Sequence, residues 1–567
     1  MKDSELKELK DKLRHAADLL RQGAHLAANK YGQPILWLIF LRYADILYKQ
    51  NKAKIDAEHQ KNANSRVQLS VWDIMNSELW FYLPEEAYFD RINEAPDDAN
   101  KAKLVKDAMT AIEEANPEIK WVLPKEVYWQ LVPEEEPELL SKIIRVFKDI
   151  PEDISVDLFW EIYEFFLWNF AIQEGRDWWT FYTPASVVRY MVNVLNPEEW
   201  DKKFLDPACW SWGMFVQSAR YMHHQNKTHW KDMRFKCYWV EKEPDTVKLA
   251  KMNLLLNNVR WDIVEANSFY SDPHNAFWVF DYVMANPPFN VDEVVYEKVK
   301  DDLRFNTYWI PKNKSKSTKK DSDKKETVPN ANYLWIWYFI SALNDTWRAA
   351  FVMANSASDA WNSEYEIRKK IIEEWIVKQM VTVPSNMFTS VTLPATLWFI
   401  DKAKKNTDKK DEILFIDARN VFTQIDRAHR KFSDEQIKNL NLITKLYDWD
   451  KKYYDDLILE YKNNLETAPE ISDDEDIHPK KYRQEQLNWI NERFPEWKYQ
   501  DVIWLCKVAK LEGEDWIIDQ DYSLNAWRYV WVVIEDDWMT EEEFKTLSND
   551  AKDLEKQIDE NLNWLFK

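Results

Sequence analysis

Along the first 155 residues the apolar positions recur at helical spacing. Leu6, Leu9, Leu13, Ala17 and Leu20 fall on one face of a charged opening segment, which predicts an amphipathic helix. ILWLIFLRYADILY (35–48) is apolar on nearly every side and predicts a deeply buried helix. Pro84, Pro96, Pro117, Pro124, Pro133 and Pro137 then break the pattern into short helices and turns.

From about 156 to 420 short apolar runs alternate with amphipathic segments. The expected strands are Lys203–Leu205, Phe235–Val240, Phe280–Ala285, Ala349–Met353, Ile376–Val383, Thr396–Asp401 and Ile413–Asp417. Strands spaced by helices predict a doubly wound, mostly parallel α/β sheet. Residues 312–325 (KNKSKSTKKDSDKK) carry seven Lys and two Asp, cannot build a core, and are expected to be a mobile loop. Residues 467–476 (TAPEISDDED) read as an acidic linker, and the charged helical pattern of 536–567 suits either a docking helix or a solvated surface helix. The expected organisation is a helical N-terminal domain (1–155), a catalytic domain (156–420), a C-terminal extension with the acidic linker (421–535) and a helical tail (536–567).

The 567 residues are enough for three or four domains of roughly 100–200 residues each. The net charge of −22 disfavours a protein that grips nucleic acid with its whole surface, but not one with local basic patches. Cys209, Cys237 and Cys506 lie far apart with no CxxC, which argues against a disulfide framework and against a zinc site. No apolar run approaches the roughly 20 residues of a membrane span, and the first residues show no signal-peptide core. A cytoplasmic protein is expected.

One count is abnormal: 5 Gly against 32 Trp. At ordinary usage a chain of this length carries about 40 Gly, so the shortfall is close to the whole Trp count. Trp200, Trp347, Trp361 and Trp375 sit between a helical pattern and a strand or turn pattern, where Gly is favoured because it accepts positive φ. Most Trp are therefore expected to stand for Gly, as happens when a gene that reads UGA as glycine is translated with UGA as tryptophan. UGG codons at Trp210, Trp212 and Trp375 would end that explanation. Trp335 and Trp398 lie in apolar runs where an aromatic is natural.

The chemistry concentrates in a few segments. FDYVMANPPF (280–289) is an apolar strand ending in Asn-Pro-Pro-aromatic, and ligands of open α/β sheets bind at the carboxyl ends of strands. Two prolines fix the backbone after Asn286. The Asn286 side-chain oxygen and the Pro287 carbonyl then make a paired acceptor for an exocyclic amine, with Phe289 as a stacking ring; an ordinary strand-to-turn exit is the alternative. FLDPACWSWGMF (204–215) becomes DPACGSGGMF with Gly at Trp210 and Trp212, a turn that lets the backbone approach a cofactor closely. Glu241, at the end of KCYWVE, is placed to accept from ribose hydroxyls. DWWTFYTPA (177–185) forms an aromatic–Thr–Pro corner with Pro184 at the first turn of a helix.

These motifs together resemble the modification subunit of type I restriction–modification systems, amino-methyltransferases acting on adenine N6 in DNA. RYMVNVLNP, LAKMNLLLNN, NANYLWIWYFISAL, RAAFVMANSASD, LPATLWFIDKAKK, ILFIDARNVF, DRAHRKFSDEQI and DYSLNAWRYVW extend the likeness over nearly the whole chain. The family pattern has Gly where this chain has Trp37, Trp160, Trp210, Trp527 and Trp531. The resemblance implies a Rossmann-like methyltransferase sheet and S-adenosylmethionine as cofactor. It implies that Thr180, Phe181, Tyr182, Thr183, Pro184 and Ala185 line the methionine side. Ser211, Trp212 and Gly213 would form the turn under the cofactor, with Glu241 at the ribose and Asn286, Pro287, Pro288 and Phe289 as the catalytic motif. Ala185 departs from the Arg frequent in the family, and the Lys-rich insert is longer than usual. The implied partners are DNA, a specificity subunit, a restriction subunit and a second copy of the chain, with no membrane and no metal.

The chemistry expected is base extrusion, stacking on Phe289, and acceptance of the two N6 hydrogens by Asn286 and Pro287. Cys209 is not expected to act as a nucleophile. Three other readings fit parts of the pattern: a protein-glutamine methyltransferase, a cytosine N4 methyltransferase, and a non-catalytic assembly subunit should Trp210 and Trp212 be literal.

Overall fold

The computed structural model describes residues 3–530 except 24–27, 63–68, 80, 97–98, 132–137, 156–157, 160–161, 164, 167–182, 198–201, 210–213, 215–235, 257–259, 307–309, 311–325, 362, 389–393, 426–428, 470–478 and 513–516. The Lys-rich insert, most of the acidic linker and the charged tail lie outside the described residues.

Helix α1 (Asp3–Gly23) buries Leu9, Leu13 and Ala16. Helix α2 (Ala28–Asn62) carries the apolar run, with Ile35 to Phe40 all buried. Burying that run also buries Arg42 and Asp45, which pair at 3.2 Å. Arg42 Nη2 donates to the Ile150 carbonyl at 2.8 Å and Asp45 Oδ1 accepts from the Phe89 N–H at 3.1 Å. The pairing and these backbone partners offset part of the cost of burying the two charges. Helices α3 (Lys101–Ala115) and α4 (Leu139–Lys148) belong to the same region, with shorter helices at Val71–Leu79 and Phe89–Asn93.

A nine-stranded sheet follows: β1 (Lys203–Asp206), β2 (Lys236–Glu241), β3 (Arg260–Glu265), β4 (Phe280–Ala285), β5 (Leu343–Ala354), β6 (Val377–Thr382), β7 (Ala395–Asp401), β8 (Glu412–Asp417) and β9 (Cys506–Lys510). Their order is β9-β8-β6-β7-β5-β4-β1-β2-β3. Only β7 and β9 run against their neighbours. The seven expected strands are present, each within a few residues of its expected bounds, β5 reaching back to Leu343. Strand β3 adds an edge beyond them, and β9 reaches the other edge from residues expected in the C-terminal extension. The chain winds outward through β1, β2 and β3, then returns to place β4 on the other side of β1. That reversal makes the carboxyl ends of β1 and β4 the point where the strand order switches, which is where such sheets take their ligands.

Helix α5 (Ala185–Leu195) packs on one face of the sheet, where Tyr190 buries completely and its hydroxyl accepts from Gln379 Nε2 of β6 at 2.9 Å. Helix α6 (Pro244–Leu256) follows β2, and α7 (Asn332–Ala342) is buried at every position. Helix α8 (Ser363–Glu373) precedes β6. Helix α9 (Asp434–Tyr447) holds Gln379 from the far side through Thr444 Oγ1 at 2.8 Å, tying the C-terminal extension to the sheet core.

Among the described residues five tryptophans adopt left-handed backbone: Trp121 (φ 67°), Trp278 (58°), Trp375 (61°), Trp449 (64°) and Trp504 (66°). All five are exposed at the surface. A side chain with a Cβ costs roughly 1–2 kcal/mol in that conformation and a Gly costs nothing, so the backbone there is one that glycine dictates. Trp375 was expected at such a position; Trp200 lies outside the described residues. Trp361 is exposed without a positive φ, and Trp347 falls where the β4–β5 register jumps from Leu343 to Arg348. Trp335 and Trp398 are buried in the core, as their apolar runs imply.

Candidate active site

The carboxyl ends of β1, β2 and β4 converge because their registers align. Leu205 pairs with Val283, Asp206 with Trp239 and Glu241 with Glu265. The loops leaving these strands are laced together. The Cys209 N–H donates to the Val240 carbonyl at 3.3 Å, and the Ala266 N–H to the Glu241 carbonyl at 2.8 Å. Ser268 Oγ donates to the Pro207 carbonyl. The Ser268 hydroxyl is therefore committed to holding the β1 exit in shape.

Two buried carboxyls stand at this edge. Asp206 accepts from the Ala208 N–H at 3.0 Å, and Glu241 Oε1 from the Glu243 N–H at 2.8 Å. Burial pushes Asp206 up to about 8; the Ala208 N–H pulls it back and the nearby Glu241 charge pushes it further. Burial likewise pushes Glu241 up to about 7, against the N–H groups of Glu243 and Lys242. Two acids sharing a desolvated corner is an arrangement that burial alone disfavours and that a hydroxyl-bearing ligand relieves. Cys209 is fully buried and burial raises its thiol well above the ordinary range, which suits a packing residue rather than a nucleophile.

At the end of β4, Asn286 is 3% exposed. Its Nδ2 donates to the Thr183 hydroxyl at 2.8 Å. Thr183 and Pro184 lead into α5, with Pro184 capping a helix that begins at Ala185. The Thr–Pro corner thus meets the Asn-Pro-Pro-Phe turn directly, a contact that sequence reading did not foresee. Pro287 is buried, while Pro288 and Phe289 are partly exposed. Beyond them the turn is clamped by three asparagines. The Asn290 N–H donates to Asn332 Oδ1 at 2.8 Å, and Asn332 Nδ2 and Asn330 Nδ2 return to Asn290 Oδ1 at 2.9 and 3.1 Å. Asn290 itself adopts left-handed backbone (φ 55°), which asparagine tolerates. The signal for this clamp was the polar pair Asn330 and Asn332 at the mouth of an otherwise apolar helix.

The structure brings together Thr183, Pro184 and Ala185 with Asn286, Pro287, Pro288 and Phe289, and it puts Glu241 at the same sheet edge. Thr180, Phe181, Tyr182, Ser211, Trp212 and Gly213, together with Trp210, lie outside the described residues. Among the described residues no group of three or more His, Cys, Asp or Glu side chains is placed to hold a metal, and no helix is long and apolar enough to cross a membrane.

Residues 154–482 match the N-6 DNA methylase family model, and residues 9–147 match the HsdM N-terminal domain. A type I restriction enzyme methylase subunit of Methanocaldococcus jannaschii is 31% identical, over 98% of this chain and 91% of the relative. One of Haemophilus influenzae is 33% identical over 60% of this chain and 73% of the relative. Among solved structures, the methyltransferase subunit of a type I restriction–modification system from Streptococcus thermophilus superposes with a TM-score of 0.64 at 18% identity, covering 93% of this chain and 99% of that one. A chain from a study of type I complex assembly and conformational transition superposes at 0.50 and 15% identity, covering 98% of both. With both halves matched by models and a relative aligned end to end, the chain belongs to the N-6 DNA methylase family and carries that family's HsdM-type N-terminal domain.

Proposed function

We propose that this chain is the methylation subunit of a type I restriction–modification system, transferring a methyl group from S-adenosylmethionine to the N6 amine of adenine in DNA. The observation that carries the reading is the Asn286 carboxamide, buried at the tip of β4 and oriented by Thr183 at 2.8 Å.

The residues present fit the cofactor. Glu241 offers a buried carboxylate at the tip of β2, where Oε1 accepts from the Glu243 N–H at 2.8 Å and acceptor capacity is left for ribose hydroxyls. Ser211, Trp212 (as Gly) and Gly213 would line the turn beneath it, and Thr180–Ala185 its methionine end. When bound, S-adenosylmethionine supplies an electrophilic methyl group. Asn286 and Pro287 would accept the two hydrogens of the target amine, drawing its lone pair out of conjugation with the ring. Phe289 would stack on the extruded base. The rigid Pro287–Pro288 backbone and the asparagine clamp would hold these acceptors before the base arrives, so that positioning and fixed dipoles supply the acceleration.

The charge of −22 supports a subunit that borrows its sequence readout. The partners proposed are DNA, a separate specificity subunit, a second copy of the chain and a restriction subunit, acting in the cytoplasm. The proposed organisation is a helical N-terminal domain (1–155), the methyltransferase domain (156–420), an extension (421–535) and a docking tail (536–567).

Incubating the chain and its specificity subunit with DNA and labelled cofactor, then digesting to nucleosides, tests this. N6-methyladenine is expected. N4-methylcytosine, or label on a peptide substrate alone, would overturn it.

A further inference from the structure

A second concave site lies on the same sheet edge, away from the Asn-Pro-Pro-Phe turn. It is a cavity of about 310 Å³ lined by Ser385, Pro394, Arg419, Asn420 and Arg430. Ser385 follows the end of β6, and Arg419 and Asn420 follow the end of β8. Both strands run parallel to β4 through β5 and β7, so the cavity opens on the edge that carries Asn286. Strand β8 stands four places from β4. At ~4.8 Å per strand that is about 19 Å, the length of five or six base-pair steps at ~3.4 Å.

Among the described residues the wall presents two guanidiniums, a hydroxyl and a carboxamide, and no carboxylate, in a chain of net charge −22. Arg419 is neutralised by Asp417, which accepts from its Nε at 2.9 Å and its Nη2 at 2.6 Å. Arg430 is not: its side-chain partners are neutral, Gln424 Oε1 at 3.2 Å and Ser385 Oγ at 3.1 Å. Among the described residues no carboxylate lies within ion-pairing reach of it. Its guanidinium rests 3.9 Å from the centroid of the Phe422 ring, and its backbone N–H donates to the Asn386 carbonyl at 3.1 Å. A cation held this firmly, with no carboxylate partner among the described residues and facing a donor-lined hollow, is preorganised for an anion with several acceptor oxygens.

We propose that this cavity is a phosphate-binding site for the DNA backbone, taking a phosphodiester several nucleotides from the extruded base, with Arg430 as its principal cation. The proposal rests on the DNA-modifying function above. Backbone contacts of this kind fix register and orientation without reading sequence.

The test uses the complex with its specificity subunit. DNA affinity is measured across a salt series for wild type, Arg430→Gln, Arg430→Lys and Arg419→Gln, with cofactor affinity as the folding control. Arg430→Gln should weaken DNA binding about 3- to 10-fold and reduce the log–log salt slope by about one, leaving cofactor affinity unchanged. Arg430→Lys should keep the slope. An unchanged slope in Arg430→Gln would overturn the proposal, and so would equal losses in Gln and Lys, which mark a loop-holding role. Inorganic phosphate titrated into the chain alone distinguishes the other source: binding abolished by Arg430→Gln with an unaltered DNA slope would make this a small-anion site and overturn the DNA assignment. A wild-type complex that bound DNA without methylating it would contradict the functional reading instead, and the slope comparison would still decide the cavity.

Discussion

Thr183 and Asn286 are 103 residues apart in sequence and joined at 2.8 Å, the Asn286 amide donating to the Thr183 hydroxyl. That bond turns the carboxamide so that its nitrogen faces the Thr–Pro corner; in the proposed reaction its oxygen is the acceptor for the target amine. Thr183→Val should therefore lower the rate of methyl transfer about 10-fold or more, because a misaligned acceptor loses the benefit of positioning. Thr183→Ser should retain most of it. Turnover and cofactor affinity, measured separately, check this. A Val variant that lost affinity alone would assign Thr183 only to cofactor binding.

The paired acids give a pH dependence. In the unfolded chain both carboxyls lose protons near the ordinary value of about 4. In the fold, Asp206 is pushed up to about 8 and Glu241 to about 7. Between those limits the folded state holds more protons, so stability falls as pH rises, by up to about 1.4 kcal/mol per pH unit for each group. Denaturant unfolding of the unliganded protein should show this decline, and Asp206→Asn should flatten it. Cofactor affinity should move the opposite way, rising through about pH 7 as Glu241 becomes a better acceptor. Affinity that is flat with pH would remove Glu241 from the ribose.

Asn332 links α7 to the Asn-Pro-Pro-Phe turn through two hydrogen bonds with Asn290. Asn332→Ala leaves the Asn290 N–H without that acceptor and frees the turn. We expect a destabilisation of about 1–3 kcal/mol and a fall in turnover larger than any change in cofactor affinity. Unfolding curves beside single-turnover rates separate the two effects.

Left-handed backbone under an indole is a testable misfit. Trp504 is 63% exposed with φ 66°. Trp504→Gly should stabilise the protein by about 1 kcal/mol, and the same change at Trp121 and Trp449 should do likewise. Loss of stability at all three would contradict glycine as the residue the fold requires. Reading the codons at these positions is the independent check.

The sheet was legible because its strands are short apolar runs bounded by turns, and Phe280–Ala285 coincides with β4 to the residue. Strand β9 was not: CKVAK is short, with an interrupted apolar pattern, and becomes a strand by pairing with β8. Asn286 and Glu241 were legible as polar residues ending apolar strands. The Thr183 contact and the asparagine clamp were hidden, since each joins segments that only the tertiary fold brings together. The imbalance of 5 Gly against 32 Trp was the signal that pointed to Gly at many Trp positions. The backbone identifies Trp121, Trp278, Trp449 and Trp504 as left-handed positions that pattern alone did not single out.

The most direct test is Asn286→Ala in the assembled complex, with methyl transfer to target DNA and cofactor binding measured on the same preparation. N6-methyladenine formation should fall at least about 100-fold with cofactor affinity within a few-fold of wild type. Full transfer by that variant would contradict the role proposed for Asn286.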